Sequence, residues 1–452
     1  MSKIGFYGGI GSVTGANFLL DTGEQKVLVD CGLEQGGANQ DEFNYSDFVY
    51  DPSTIDFLFV THAHADHIGR IPKLIKDGFA GKIYSTTPTK ALADVMLRDA
   101  LKVMRSEAQK YERPLLYDEV DIDRALSLWQ GLDYHESVNL GSDLRVELNN
   151  AGHILGSACV SFYRGDKKIV FSGDIGNAPQ PLMPPPDVPK DYQYLVMESV
   201  YGDRKHEDVA DRTNLLLAYL KKTIKNQGTL IIPAFSLERT QGMLFEINNL
   251  VEQGEIESLP VFLDSPLAIE VTGIYKQYQD WLKPEVKKQI ADGDDIFNFP
   301  KLQLTNSVAD SSQIAKTKGA KVIIAGSGMS HGGRILKHEK HYLDDPKTIL
   351  LLVGYQAVGS IGRRLQDGAK NIKIDGQPVK VRAEVATIQG WSGHADRDQL
   401  LDFVAVGGEK AQQIFVTMGE ERASLFLVQR IRDYLGLKAV APSPDEVVEI
   451  DF

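Results

Sequence analysis

Along the chain, short apolar runs end abruptly in polar or glycine residues: KVLVD (26–30), DFLFVTH (56–62), KIVFSGD (168–174), YLVMES (194–199) and IFVTMGE (414–420). Runs of this length bounded by polar breaks predict buried strands. Just past each apolar stretch stands an Asp, His, Glu or equivalent position, which is how a sheet presents reactive groups from its strand ends. One clustered site is therefore expected. Between the runs, TPTKALADVMLRDALKVMRSEAQKY (87–111) carries apolar residues at 92, 95, 97, 101 and 104, with a Pro early and a Thr before it. That is the pattern of a capped amphipathic helix whose Met and Leu residues face the core.

From about 205 the pattern changes. TLIIPAF (229–235), VFLDS (261–265), KVIIAGS (321–327) and TILLLVGY (348–355) alternate with helical stretches such as LERTQGMLFEINNLVEQ. This is βαβ order, hence a parallel sheet with crossover helices. From about 383 short strands return, EVATIQGW and QQIFVTM, flanking helical RDQLLDFVAV. The expected organisation is an inserted domain at 205–378 splitting an outer domain made of 1–204 and 379–452. PQPLMPPPDVP (179–189) reads as a rigid surface loop, and no repeat of fixed period is present.

Composition narrows the class. A chain of 452 residues with 42% hydrophobic and 25% charged residues is globular and long enough for two or more domains. No apolar run of about 18 residues and no signal-peptide core is visible, so a cytoplasmic protein without a membrane partner is expected. Cys31 and Cys159, the two cysteines, are too few for a disulfide framework and are expected to be small buried residues. The formal charge of −13 argues against unspecific polyanion binding by the whole surface. Any nucleic-acid site must be locally basic. The stretch 360–382 offers Arg363, Arg364, Lys370, Lys373, Lys380 and Arg382 against Asp367 and Asp375, either as such a patch or as a solvated surface.

The strongest chemical signal is THAHADHIGR (61–70), in which His62, His64, Asp66 and His67 crowd together directly after a strand. Positions 62 and 64 of an extended segment point their imidazoles the same way, while Asp66 and His67 lie on the following turn and can face a second metal. Histidine nitrogen and carboxylate oxygen suit zinc. The competing reading is a polar helix start with incidental histidines. His153 and His394 also stand in motif-like surroundings. His135 and His206 stand alone, His338 and His341 are expected on a solvated helix face, and His331 lies in a glycine-rich loop.

THAHADH resembles the HxHxDH signature of the metallo-β-lactamase fold, with GHILGSA (152–158) and FSGDIG (171–176) as its next two ligand motifs. The resemblance narrows to the β-CASP group of nucleic-acid-processing nucleases through Glu198 in MESVYGDR, PAFSLERTQ (233–241), DSPLA (264–268), GSGMSHGGR (326–334), VGYQAVGSIGRR (353–364) and SGHADRDQL (392–400). It implies an αββα sandwich with an inserted parallel-sheet β-CASP domain. It also implies two zinc ions, one held by His62, His64, His153 and Asp174, the other by Asp66, His67 and a bridging Asp174. Asp30 would orient the histidine loop from behind. The implied catalytic set is Asp66, Glu198 and His394. The group normally carries a further histidine where this chain has Met418, in VTMGEE, which is expected to weaken the second zinc unless Glu420 or Glu421 fills the gap.

The function so implied is a zinc-dependent ribonuclease acting on single-stranded RNA. Metal-activated hydroxide would attack phosphorus, His394 would act as general acid and Glu198 would orient it. Ser236, Arg239, Ser327 and Arg334 are the expected phosphate contacts, against the alternatives of a helix cap for Ser236 and a surface salt bridge for Arg239. Two other readings compete: an inactive paralogue that scaffolds RNA, supported by Met418, and a small-molecule hydrolase of the same fold, which needs neither the insertion nor a separate proton donor. Endonuclease or exonuclease action, preference for RNA over DNA, and assembly as a homodimer or within a processing complex are left open.

Overall fold

The apolar runs form the strands Lys26–Val29, Phe57–Phe59, Lys167–Phe171, Tyr194–Met197 and Gln413–Val416. The computed structural model describes residues 1–36, 40–141, 143–206, 209–354, 356, 359–388 and 390–452. Tyr355, Ala357 and Val358 of the 353–364 block and Gln389 of EVATIQGW lie outside them. The chain divides into two units, Met1–Lys205 with His394–Phe452, and His206–Gly393.

The first unit holds two seven-stranded sheets. Alternation along their strands builds the layers. Val160, Phe171, Val196 and Phe415 pack with Phe6, Phe18, Val29 and Phe59 between the sheets. Their neighbours Cys159, Val170, Leu195 and Ile414 face the other way, onto Leu400, Phe403, Leu427 and Val428 of the helices Arg397–Gly407 and Glu421–Arg430. The other sheet carries Ile71–Lys76, Thr87–Tyr111 and Glu119–Leu128, which completes an αββα sandwich. The Thr87–Tyr111 helix starts at the Thr86 cap, whose side chain accepts from Thr89 N. It buries Leu92, Leu97 and Leu101, whereas Met96 and Met104, expected in the core, are half-buried. Part of the 179–189 loop is also more buried than expected: Leu182 and Met183 are core residues.

The second unit is a parallel six-stranded sheet in the order Leu302–Leu304, Val261–Leu263, Lys321–Ala325, Thr229–Pro233, Ile349–Val353, Glu384–Ile388. Its last strand lies in the EVATI segment that the sequence placed in the outer domain. It pairs with Ile349–Val353 instead, so this unit extends past the expected boundary at 378. A short apolar run specifies a strand, whereas its sheet is chosen by whichever partner it meets. Between these strands, Asn371–Ile374 and Gln377–Lys380 form an antiparallel hairpin where the sequence reading had only a basic stretch. Asp375 and Gly376 both take positive φ, 50° and 74°, the requirement of a tight two-residue hairpin turn.

The helix Ile335–Tyr342 corrects another expectation. It buries Ile335, His338, Glu339 and Tyr342, spaced three and four apart on one face, so His338 is a core residue while His341 is exposed. Cys31 and Cys159 are buried free thiols as expected. Among the described residues no helix is long and apolar enough to cross a membrane.

Candidate metal centre

The chemical groups of the first unit gather where strands end. After Lys26–Val29 the chain turns at Asp30, whose φ of 60° is a conformation Asp tolerates better than most residues. Buried Asp30 accepts from Thr61 N at 2.8 Å and Thr61 Oγ1 at 2.7 Å, and lies 2.7 Å from His67 Nδ1. A carboxylate can only accept, so Nδ1 of His67 carries a proton and Nε2 is the nitrogen turned away from Asp30, toward a ligand. Gly173, at φ 56°, admits the chain beside this pair, since a Cβ there would stand 2.6 Å from Thr61 Cβ.

Among the described residues, two groups of possible ligand atoms lie within 4.8 Å of one another: His62, His64, His153 and Asp174, and Asp174, Glu198 and His394. In the first, His62 Nε2 is 3.0 Å from His64 Nδ1 and 3.3 Å from Asp174 Oδ2. His153 Nε2 is 3.2 Å from His64 Nδ1 and 3.5 Å from Asp174 Oδ2. Four ligands bound at 2.0–2.1 Å in a tetrahedron stand about 3.4 Å apart, so this spacing fits one cation. The 152–158 loop that carries His153 is held by Gln180 Nε2, which donates to His153 O at 3.1 Å.

On the other side of Asp174, Oδ1 lies 3.3 Å from His67 Nε2, and Asp66 Oδ2 lies 4.0 Å from the same nitrogen. His67 Nε2 and Asp174 Oδ1 are buried with no hydrogen-bond partner. An unmade bond on such groups is unfavourable by roughly 1–3 kcal/mol each, and a cation between them would satisfy both. Electrostatics agrees. Burial disfavours charge on His62 and His64 and lowers both, keeping their nitrogens available as ligands. It also opposes charge on His67, yet Asp174 and Asp30 outweigh it and hold that imidazole well above its ordinary range. Burial opposes ionisation of Asp174, but His67, His394 and His62 keep it well below the usual carboxylate range.

The second group is built by backbone pairing. His394 bridges Gly176 in antiparallel fashion, and Ala395 N donates to Ile175 O at 2.7 Å. Buried Glu198 accepts from Ile175 N at 2.6 Å and Val200 N at 3.3 Å. His394 Nδ1 lies 3.3 Å from Glu198 Oε1 and 3.8 Å from Asp174 Oδ2. Burial opposes its protonation, but Glu198 and Asp174 raise it to about 9.

Met418 offers a thioether, a poor zinc ligand beside imidazole and carboxylate. Its Sδ packs against Gly9, where a Cβ would approach it to 2.2 Å, and its side chain joins the apolar core between the sheets. Glu420 and Glu421 are exposed and belong to neither ligand group.

In the second unit, Ser236, Ser265 and Ser327 follow three parallel strands at their C-terminal ends. Ser236 Oγ is 3.2 Å from Ser265 Oγ, and Ser327 Oγ accepts from His331 N at 3.0 Å and Gly332 N at 3.3 Å. Ser236 is not a helix cap, because the next helix begins at Arg239 behind Glu238. Ser265, which caps Pro266–Gln277, escaped the sequence reading although it stood in the quoted DSPLA block. The two arginines are engaged elsewhere. Arg239 is buried and donates to Val353 O at 2.8 Å. Arg334 donates to Asp264 Oδ1 at 2.6 Å, Thr305 O at 2.8 Å and Asn306 O at 2.9 Å.

Comparison with known proteins gives three successive matches, the last of which crosses the boundary between the units at 393. Residues 11–201 match the metallo-β-lactamase superfamily, 240–365 the Beta-Casp domain, and 378–442 the Zn-dependent metallo-hydrolase RNA specificity domain. The chain is 36% identical to Ribonuclease TTHA0252 of Thermus thermophilus, covering 93% of this chain and 94% of that protein. It is 31% identical to an RNase J-like protein of Methanocaldococcus jannaschii over the whole of both. To Transcription termination factor FttA of Methanosarcina mazei it is 32% identical, over 98% of this chain and 71% of that one. A crystal structure of an Enterococcus faecalis V583 protein of unknown function shares the fold, with TM-score 0.58, 12% identity and 99% of each chain covered. With its donor cluster at the strand ends and its matches spanning both units, the chain belongs to the β-CASP group of the metallo-β-lactamase superfamily.

Proposed function

We propose that this protein is a metal-dependent ribonuclease that hydrolyses RNA phosphodiester bonds, with zinc as its metal and two ions at full occupancy. The observation that carries the reading is Asp174, which turns one oxygen toward His62 and His153 and the other, unpartnered, toward His67. Similarity to a ribonuclease over nearly the whole chain supports RNA as substrate. His62, His64, His153 and Asp174 would hold one ion, and Asp66, His67 and Asp174 the other; imidazole with carboxylate is a donor set suited to zinc. When bound, such ions acidify water and neutralise charge on phosphoryl oxygens.

The chain's own groups supply the rest. Asp30 keeps the Nδ1 proton on His67 and so aims Nε2 inward. Glu198, held by two backbone N–H groups, receives Nδ1–H of His394. That leaves Nε2–H of His394 to protonate the departing oxygen. With Met418 in the apolar core, the second ion has three protein ligands against four and binds more weakly. For phosphate contacts we favour the hydroxyls of Ser236, Ser265 and Ser327, since the guanidinium groups of Arg239 and Arg334 are engaged by protein carbonyls and Asp264.

The test is incubation of zinc-loaded and chelator-treated protein with end-labelled single-stranded RNA and DNA of equal sequence. Zinc-dependent RNA cleavage is expected, and product length distinguishes endonuclease from exonuclease action. Undiminished hydrolysis by metal-free protein would refute the reading.

A further inference from the structure

The basic stretch at 360–382 resolves into a shaped surface. In the hairpin, Asn371 pairs with Lys380 and Lys373 with Pro378. Ile372, Ile374 and Val379, with Val381 just beyond, turn inward onto the core of the second unit. Alternation sends Lys373 and Lys380 to the opposite face, as diagonal cross-strand neighbours roughly 7–8 Å apart. Lys370 precedes the strand opposite Val381 at the open end of the hairpin, where its carbonyl accepts from Val381 N at 2.9 Å. All three lysines are exposed.

Charge neutralisation divides this stretch in two. Arg363 pairs with Asp367 at 3.0 Å and Arg382 with Asp344 at 2.7 Å. Lys370, Lys373 and Lys380 make no ion pair among the described residues, and Arg364 beside them is exposed. Asp375 at the turn is the one acidic residue between 371 and 380. In a chain of net charge −13, two unpaired ammonium groups on the outer face of the hairpin and a third at its open end form a local exception to the acidic surface. Clustered like charges repel one another, and neutralisation by a polyanion relieves that repulsion with release of counterions.

We propose that the outer face of the 371–380 hairpin and its open end form an RNA-binding surface, on which Lys373 and Lys380 on the face and Lys370 at the end contact phosphates of the substrate strand. This rests on the reading of the chain as a ribonuclease. The contacts are to phosphate, so they add affinity without base preference.

The test compares zinc-loaded wild type with the triple variant Lys370→Glu, Lys373→Glu, Lys380→Glu. A control triple variant, Lys287→Glu, Lys288→Glu, Lys316→Glu, changes exposed lysines elsewhere by the same total charge. Binding of a fluorescein-labelled 20-nucleotide RNA with phosphorothioate linkages, which retard hydrolysis, is followed by anisotropy across a salt series. Loss of three single-strand phosphate contacts should lower the log–log salt slope by about 2 and weaken binding on the order of 10²-fold at 0.1 M salt, with the control near wild type. Equal affinity and slope in the hairpin variant, or equal weakening in the control, would overturn the proposal. So would unchanged RNA binding accompanied by loss of a bound acidic protein. Cleavage of ordinary RNA by the wild type is measured in parallel. Its absence would count against the ribonuclease reading, whereas a cleaving wild type with an unaffected hairpin variant counts against the surface alone. Replacing the three lysines by Gln gives the same comparison at a smaller charge change.

Discussion

Each unit buries a carboxylate beside histidine, and the two sites end in opposite states. Asp264 of the second unit receives Thr305 Oγ1 and Arg334 Nη1 on one oxygen and Ser311 Oγ and His338 on the other, all at 2.6–2.7 Å. Every lone pair is engaged, and although burial opposes ionisation, His338 and these donors hold Asp264 far below the usual carboxylate range. Asp174 of the first unit keeps an orphan oxygen facing an orphan nitrogen. A third buried carboxyl, Glu339, also keeps an oxygen without a partner, but Ser330 is the group that bonds it, and burial raises it to about 7. An orphan atom thus marks a ligand site where other donors converge on it. Where none do, the carboxyl takes up a proton instead.

The largest expected effect tests that distinction directly. Asp174→Ala should empty the metal site and reduce RNA cleavage to background, well beyond the 10- to 100-fold typical of supporting residues. A variant retaining zinc by elemental analysis and retaining turnover would make Asp174 as purely structural as Asp264. Next, His394→Ala should lower turnover by roughly 10² to 10⁴ with zinc content unchanged. Loss of zinc along with activity would turn His394 from proton donor into ligand.

In the second unit the same kind of change should act on stability. Arg334→Ala leaves Asp264 buried with a lost charge partner, and should destabilise the fold by about 3 kcal/mol in urea unfolding while zinc content stays constant. Undiminished stability with weakened RNA binding would restore Arg334 to the phosphate contact that the sequence suggested. Glu339 gives the comparison a pH dependence. Its folded-state value near 7 exceeds its ordinary 4.5, so the folded protein binds the proton more tightly than the unfolded chain. The stability it contributes is full below about pH 4.5 and falls by roughly 3 kcal/mol as pH rises through 7. Glu339→Gln should flatten unfolding free energy over that window; an unaltered pH profile would show that Glu339 is not the titrating group. The smallest effect concerns the two metal ions. Met418→His, at a φ of 45° that histidine tolerates, should tighten the second zinc about tenfold. Two equally tight zincs in the wild type would erase the asymmetry between them.

Much of the first unit was legible from the chain because its chemistry is local. His62, His64, Asp66 and His67 fall within six consecutive positions, so spacing alone brought them to one strand end; the inserted parallel sheet followed from the βαβ order of the runs, while the αββα sandwich was what the resemblance of the ligand motifs implied. The partners of the second unit's arginines were not legible, for the opposite reason. Arg334 and Asp264 are seventy positions apart, and nothing in GSGMSHGGR or DSPLA says that they meet. The burial of His338 and the sheet that EVATI joins belong to the same class.

By itself the sequence determined most of the strands and helices, which residues can ligate a metal, and which family blocks it carries, since these depend on residue type and short-range periodicity. The tertiary structure alone decided which buried polar groups are satisfied and which are left for a ligand. It left Asp174 with an open oxygen, closed Asp264, turned Met418 into the apolar core and set Lys373 and Lys380 on one face of a hairpin. Satisfaction is a property of partners brought together by packing, and distant segments choose those partners when the core forms.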